Sequence, residues 1–188
     1  MAINQLLSDF VAGQPFTPTF KDLFKSMDLC DLKDVKVVFV NAYPSDEKGV
    51  ANGLAFGGNV NPFVNSLNDI ASDEFIDGPA PSLEFVPKDN GVLLLNMALT
   101  CPIGKQTDHL PMWTPVFEKL IADIAYKTLN TIFVFIGNET EYLGKAVRKG
   151  QYKFFLPEVP VDGDWNNIEV FSKINTLLKK LDKEPVNW

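Results

Sequence analysis

The stretch Val37-Val38-Phe39-Val40-Asn41-Ala42-Tyr43-Pro44, followed by Gly53-Leu54-Ala55-Phe56, decides the fold. Its apolar, largely β-branched run reads as a strand buried on both faces, which occurs in parallel sheets covered by helices. The strand ends in a polar residue, an aromatic and a proline, and a glycine-aromatic turn follows soon after. Ligands of open α/β sheets bind beyond the carboxyl ends of the strands. This ending therefore reads as the wall of a pocket.

Further strands are expected on either side of this one. Val92 to Leu95 is a second core strand closed by Asn96, Thr131 to Ile136 a third and Tyr152 to Leu156 a fourth. Helices are expected over Asn4 to Val11, Phe20 to Met27, Pro62 to Ile70 and Glu139 to Arg148. Another is expected over Thr114 to Tyr126, with Thr114 as N-cap and Pro115 in the first position. The last runs from Asn166 or Asn167 to Leu181, with Ile168, Phe171, Ile174, Leu177, Leu178 and Leu181 on its inner face. Gly78 to Pro87 reads as loop, interrupted by prolines. Strands alternating with helices predict a single α/β domain over residues 1–188, a three-layer sandwich around a four-stranded parallel sheet. The strand ends carry Asn41, Asn96, Asn138 and Leu156-Pro157.

Composition narrows the function. The 188 residues, 46% of them hydrophobic and 15 of them Phe, are enough for one large core. No apolar run reaches the roughly 18–20 residues that cross a bilayer. The N-terminus lacks the basic start and apolar stretch of a signal peptide, so a cytoplasmic protein without membrane contact is expected. Cys30 and Cys101 lie far apart and form neither a disulfide framework nor a metal motif. With a single histidine, a zinc site of several imidazoles is ruled out, and no metal or cofactor is expected. A net charge of −7 opposes non-specific nucleic-acid binding, which draws on phosphate neutralisation. Lys145, Arg148, Lys149 and Lys153 form the one local cluster that reads as either a phosphate patch or a solvated helix face.

The residues also resemble a family. Val35 to Val40 is similar to the first core strand of family 1 uracil-DNA glycosylases, and Gly91-Val92-Leu93-Leu94-Leu95-Asn96 with Ala98-Leu99-Thr100 to their second motif. His109 and Trp113 fall where those enzymes carry a histidine and a tryptophan opening the next helix. The closing Pro185-Val186-Asn187-Trp188 resembles their Pro-Ile-Asp-Trp ending. The likeness runs from about Phe16 to Trp188, and Tyr43 to Asp46 with Gly49-Val50 looks closest to divergent poxviral members that double as replication processivity subunits.

The resemblance implies a base pocket. Tyr43 would block the 5-position of the base, Phe56 would stack on it and Asn96 would read its edge. An amide sets a donor beside an acceptor, which suits O4 and N3–H of uracil. In the family the first motif ends in Asp-Pro-Tyr, and the aspartate supports the attacking water and the developing oxocarbenium ion. Here Asn41-Ala42-Tyr43 stands there, and a neutral amide holds a water but offers no negative charge. A register without the gap would instead put Tyr43 at the aspartate position. The fourth motif, His-Pro-Ser-Pro in active members, is replaced by Leu156-Pro157-Glu158 and an acidic loop reaching Asp164, with Val159, Val161 and Trp165 available for a protein contact. Leu156 cannot donate to the leaving base, and loss of one such donor costs on the order of 3 kcal/mol of barrier. His109, placed in a loop, reads as a surface or backbone-contacting residue rather than a general acid.

These features lead to the expectation of a divergent uracil-DNA glycosylase-like protein with a kept base pocket. Its activity would be weakened or lost, and it would serve replication or repair through DNA or a protein partner. One alternative is a slow but active uracil-DNA glycosylase using Asn41, Tyr43, Phe56 and Asn96; another is an acidic protein-binding module that no longer binds DNA.

Overall fold

The computed structural model describes residues 13–57, 83–157 and 169–188. Among them, β2 (Val37–Asn41), β3 (Val92–Asn96), β5 (Ile132–Ile136) and β6 (Lys153–Leu156) form a parallel four-stranded sheet in the order β3-β2-β5-β6. A short antiparallel pair, β1 (Phe16–Thr17) and β4 (Cys101–Pro102), forms a second sheet. The helices are α1 (Lys25–Leu29), α2 (Phe85–Asn90), α3 (Leu110–Lys127), α4 (Asn138–Glu141) and α5 (Val170–Lys180).

Because side chains alternate along a strand, the sheet has two apolar faces. Val37, Phe39, Val92, Leu94, Val134 and Ile136 pack with Phe171, Ile174 and Leu178 of α5. Val38, Val40, Leu93, Leu95, Phe133 and Phe135 pack with Phe117, Ile121 and Ile124 of α3. Helix, sheet and helix make the three layers. The closing segment seals the α5 side: Trp188 meets Phe171 at 4.8 Å and Phe39 at 6.1 Å. Its backbone is fastened as well, with Val186 N–H donating to Asn175 Oδ1 at 2.8 Å and Asn187 N–H to Asn90 Oδ1 at 2.8 Å. The family-like ending therefore serves packing.

β3 is an edge strand, and an open edge presents unpaired backbone groups. Here Leu94 N–H donates to Ser26 Oγ of α1 at 2.8 Å, and Leu94 O accepts from Ala55 N–H at 3.1 Å. That second bond docks the Gly53–Phe56 turn beside the carboxyl end of β3. Gly53, at φ +85°, lies so close to the Asp22 carbonyl that a Cβ would collide with it.

Some boundaries differ from the sequence reading. α3 begins at Leu110, so Thr114 is no N-cap; its hydroxyl bonds back to Leu110 O at 2.8 Å. Pro111 sits in the first turn, where a missing N–H costs nothing, and Pro115 lies inside the helix. The expected Gly78–Pro87 loop gives way by Phe85 to α2, which contains Pro87. Phe20 to Met27 divides into a 3-10 turn at Phe20–Asp22 and α1, and Glu139 to Arg148 into α4 and a 3-10 turn at Tyr142–Lys145. The expected helices at Asn4–Val11 and Pro62–Ile70 lie outside the described residues, as does the start of the last one. Ser26→Ala leaves a buried backbone N–H unsatisfied at the sheet edge. Urea denaturation should show a loss of about 1–3 kcal/mol.

Candidate functional site

β2 and β3 run in parallel with Val37 opposite Val92, which sets Asn41 opposite Asn96. Both asparagines continue the alternation of Phe39 and Leu94, so both face the α5 side. Two amides at adjacent strand ends on one face are neighbours, and they bond: Asn41 Nδ2 donates to Asn96 Oδ1 at 3.1 Å. Asn41 Nδ2 also donates to the Tyr43 backbone carbonyl at 2.8 Å. Asn96 is only 4% exposed, while Asn41 is half-buried.

Phe56 reaches the same face through the edge turn and packs against the cluster that contains Leu94 and Leu54. Its φ of +64° is left-handed, which costs a bulky L-residue roughly 1–2 kcal/mol. Backbone strain of this kind collects at ligand sites. Tyr43 is half-buried against Leu23, Ala98, Leu99 and Trp113, on a different cluster from Phe56. The amide pair thus lies between the two aromatic-bearing segments, tied to Tyr43 through its carbonyl and to Phe56 through β3.

The segment after β2 is fastened along its length. Asn41 O and Ala42 O accept from Met97 N–H and Ala98 N–H, both at 2.8 Å. The Cys101 thiol donates toward Pro44 O and Ser45 O at 3.6 Å, and Gln106 Nε2 to Pro44 O at 3.3 Å. Burial, with help from the Asp46 charge, pushes the Cys101 thiol up to about 12. It stays protonated and structural. Sequence reading had Cys101 as a candidate for neither disulfide nor metal, but had no signal for this strapping role.

His109 is a correction. It is 2% exposed rather than on the surface, with Nδ1 2.9 Å from Thr100 Oγ1, which also accepts from Trp113 Nε1–H at 2.8 Å. This buried set joins the start of α3 to the loop after β3. Leu156, at the end of β6, is 7% exposed and packed into the cluster on the Asn41 side, where it offers only apolar surface; Pro157 is exposed. Glu158 and the acidic loop lie outside the described residues. The basic cluster is partly engaged in the fold: Arg148 lies 4.5 Å over the Tyr126 ring and Lys153 Nζ donates to Gly144 O at 3.1 Å. A surface hollow lined by Asp28, Asp31, Asp34, Lys36 and Asp89 opens at the amino ends of β2 and β3. It is at the wrong end of the sheet for the strand-end chemistry. Among the described residues no group of His, Cys, Asp and Glu could hold a metal, and no helix is long and apolar enough to cross a membrane.

A covered parallel sheet with a polar pair at the carboxyl ends of adjacent strands is the arrangement in which α/β proteins place their ligand sites. Comparison with known proteins narrows the class. No family model matches the chain. It is 28% identical over 199 residues to the uracil-DNA glycosylase of Vibrio parahaemolyticus, covering 99% of this chain and 87% of that one. It is 29% identical over 180 residues to the uracil-DNA glycosylase of Mesomycoplasma hyopneumoniae, covering 91% and 82%. The crystal structure of mimivirus uracil-DNA glycosylase superposes with a TM-score of 0.82 at 21% identity, over 98% of this chain and 80% of that one. The fold is that of the uracil-DNA glycosylases, and the chain is similar to them in sequence over nearly its whole length.

Burial holds the His109 imidazole below its ordinary 6.5, against the opposing pull of Asp108 and the Thr100 backbone. The unfolded chain therefore binds the proton first as pH falls. Stability should be level above about pH 6.5 and decline as pH falls below it. His109→Asn should remove most of that decline, as followed by denaturation midpoints across the range.

Proposed function

We propose that the chain is a slow uracil-DNA glycosylase, hydrolysing the N-glycosidic bond between uracil and deoxyribose in DNA. The observation that carries this reading is the Asn41–Asn96 amide pair at the carboxyl ends of β2 and β3. Asn96 Oδ1 has two lone pairs, and Asn41 takes one. The second lone pair accepts N3–H of uracil while Nδ2 donates to O4. Tyr43 and Phe56 are assigned to the walls of the base pocket, the first guarding the 5-position and the second stacking on the ring.

The nucleophile is water. Both Asn41 amide hydrogens are taken by Tyr43 O and Asn96 Oδ1, which leaves Asn41 Oδ1 to accept a hydrogen bond from that water. Attack forms the bond from the water oxygen to C1′ as the glycosidic bond breaks; the uracil leaves as its anion, and the water's proton passes to solvent. Two residues make the rate slow. Asn41 offers the cationic sugar no negative charge, and Leu156 supplies no donor to the leaving anion. The net charge of −7 further opposes DNA approach, so single-stranded substrate, which needs no base pair broken, should be preferred.

The contrasting reading, activity lost and an accessory role in replication or repair, has less behind it. Relatives named for the activity match over nearly the whole chain. Uracil release from a single-stranded oligonucleotide tests the proposal. Release should be measurable and fall at least about a hundredfold in Asn96→Ala. No release by the wild-type chain, or an equal rate in the variant, would overturn it.

A further inference from the structure

Charge is unevenly placed along this chain. Residues 124–138 and 142–157 hold Lys127, Lys145, Arg148, Lys149 and Lys153, five of the 17 Lys and Arg, and none of the 24 Asp and Glu. The fold brings the two stretches together on the α3 side of the sheet. Arg148 lies 4.5 Å over the Tyr126 ring at the end of α3, and Gln151 Nε2 donates to Thr128 O at 3.3 Å just beyond it. Lys153 Nζ donates to Gly144 O at 3.1 Å, and Phe155 packs so close to the same glycine that a Cβ there would meet its ring. The bordering acids are Glu139 and Glu141 of α4 and Asp123 of α3, the last paired with Lys119 at 3.1 Å. All five cations are exposed, and so are three large apolar side chains among them: Tyr126 at 70%, Leu129 at 74% and Phe155 at 50%. Clustered apolar groups left in water mark an interaction surface.

We propose that this face, formed by the end of α3, the turn after α4 and β6, is a binding platform for single-stranded nucleic acid, separate from the strand-end site. Lys145, Arg148, Lys149 and Lys153 meet the phosphates, while bases stack on Tyr126 and Phe155. Both rings are held for that purpose. Arg148 backs the Tyr126 ring, and Phe155 is stacked on Phe135 at 5.7 Å. Every base has a π-face, so such a platform takes any sequence. An acidic peptide would meet the cations but has no use for two exposed flat rings. The platform also answers the charge of the chain: a net −7 repels phosphate at long range, and only a local cationic face offsets it. Phe155 and Leu156 are consecutive in β6 and point to opposite faces, Leu156 toward the cluster on the Asn41 side. A strand leaving the strand-end site therefore reaches the platform by crossing β6, the last strand of the sheet. The inference goes beyond the base-pocket reading, since it needs no uracil.

Fluorescence anisotropy with a uracil-free oligothymidylate of about 20 nucleotides, across a salt series, tests the proposal. The wild-type chain should bind, with log K falling against log salt at a slope of roughly −2 to −3.5, about 0.7 for each cation engaged. The double variant Lys145→Ala, Lys149→Ala should bind more weakly and lose about 1.4 of that slope. Tyr126→Ala should weaken binding roughly five- to a hundredfold, the worth of one stacked base, and keep most of the slope. These side chains are exposed, so circular dichroism should show each variant folded. No binding by the wild-type chain overturns the proposal. So does equal binding in both variants, which would place the strand elsewhere on the molecule. Polyglutamate that competes as well as the oligonucleotide would assign the face to an acidic protein and overturn it too. The probe contains no uracil, so the two readings fail separately. Binding without uracil release sinks the pocket and leaves the platform; uracil release without binding of the probe does the reverse.

Discussion

The site depends on the register between β2 and β3. Parallel pairing places Val37 against Val92, and four residues later the same ladder brings Asn41 against Asn96. A shift of one residue would turn either asparagine to the opposite face. The register is held by what surrounds it. Val37, Phe39, Val92 and Leu94 are buried on one side, Val38, Val40, Leu93 and Leu95 on the other. Exchanging those faces would disrupt both cores at once.

From that constraint the rest of the candidate site follows. β3 is the sheet edge, and the bond that satisfies its outward carbonyl also anchors the turn carrying Phe56. The segment after β2 runs across the top of β3 and presents its Tyr43 carbonyl to the amide pair. Cys101 and Gln106 hold it there, and the buried Thr100, His109 and Trp113 set fixes the loop from which Cys101 comes. Ordinary backbone and packing requirements thus bring a flexible-looking loop to a defined position against a rigid sheet. Among the described residues of the candidate site, Phe56 carries a left-handed backbone.

Much of this was legible in the sequence. The apolar runs of β2, β3 and β5 are short and buried on both faces, and their asparagine or glycine ends stand out against them. The closing Pro185 to Trp188 was readable as a family feature, though its part in covering Phe39 and Phe171 was not. The start of α3 was misplaced because two prolines, Pro111 and Pro115, each look like a first-turn residue, and a threonine before the second mimics a cap. α2 was missed because Pro87 reads as a breaker, whereas the helix accommodates it in its first turn. His109 was read as a surface or backbone-contacting residue because it was placed in a loop; its buried partner is a threonine nine residues earlier in the chain. The hydrogen bonds that join Asn41 to Asn96 and to the Tyr43 carbonyl could not be read at all. They depend on a backbone carbonyl and on cross-strand register, neither of which is visible in residue types.

The proposed function places an amide where the resembling family carries a carboxylate. In the proposed function, a neutral pair holds the attacking water and meets the base through hydrogen bonds, without a charge to stabilise a cationic sugar. The most direct test is an isotope-labelled side-chain amide spectrum recorded during addition of uracil. The Asn96 amide protons should shift on binding, while those of Asn41 remain protected from exchange before and after. Asn96 signals that ignore saturating uracil would contradict the account.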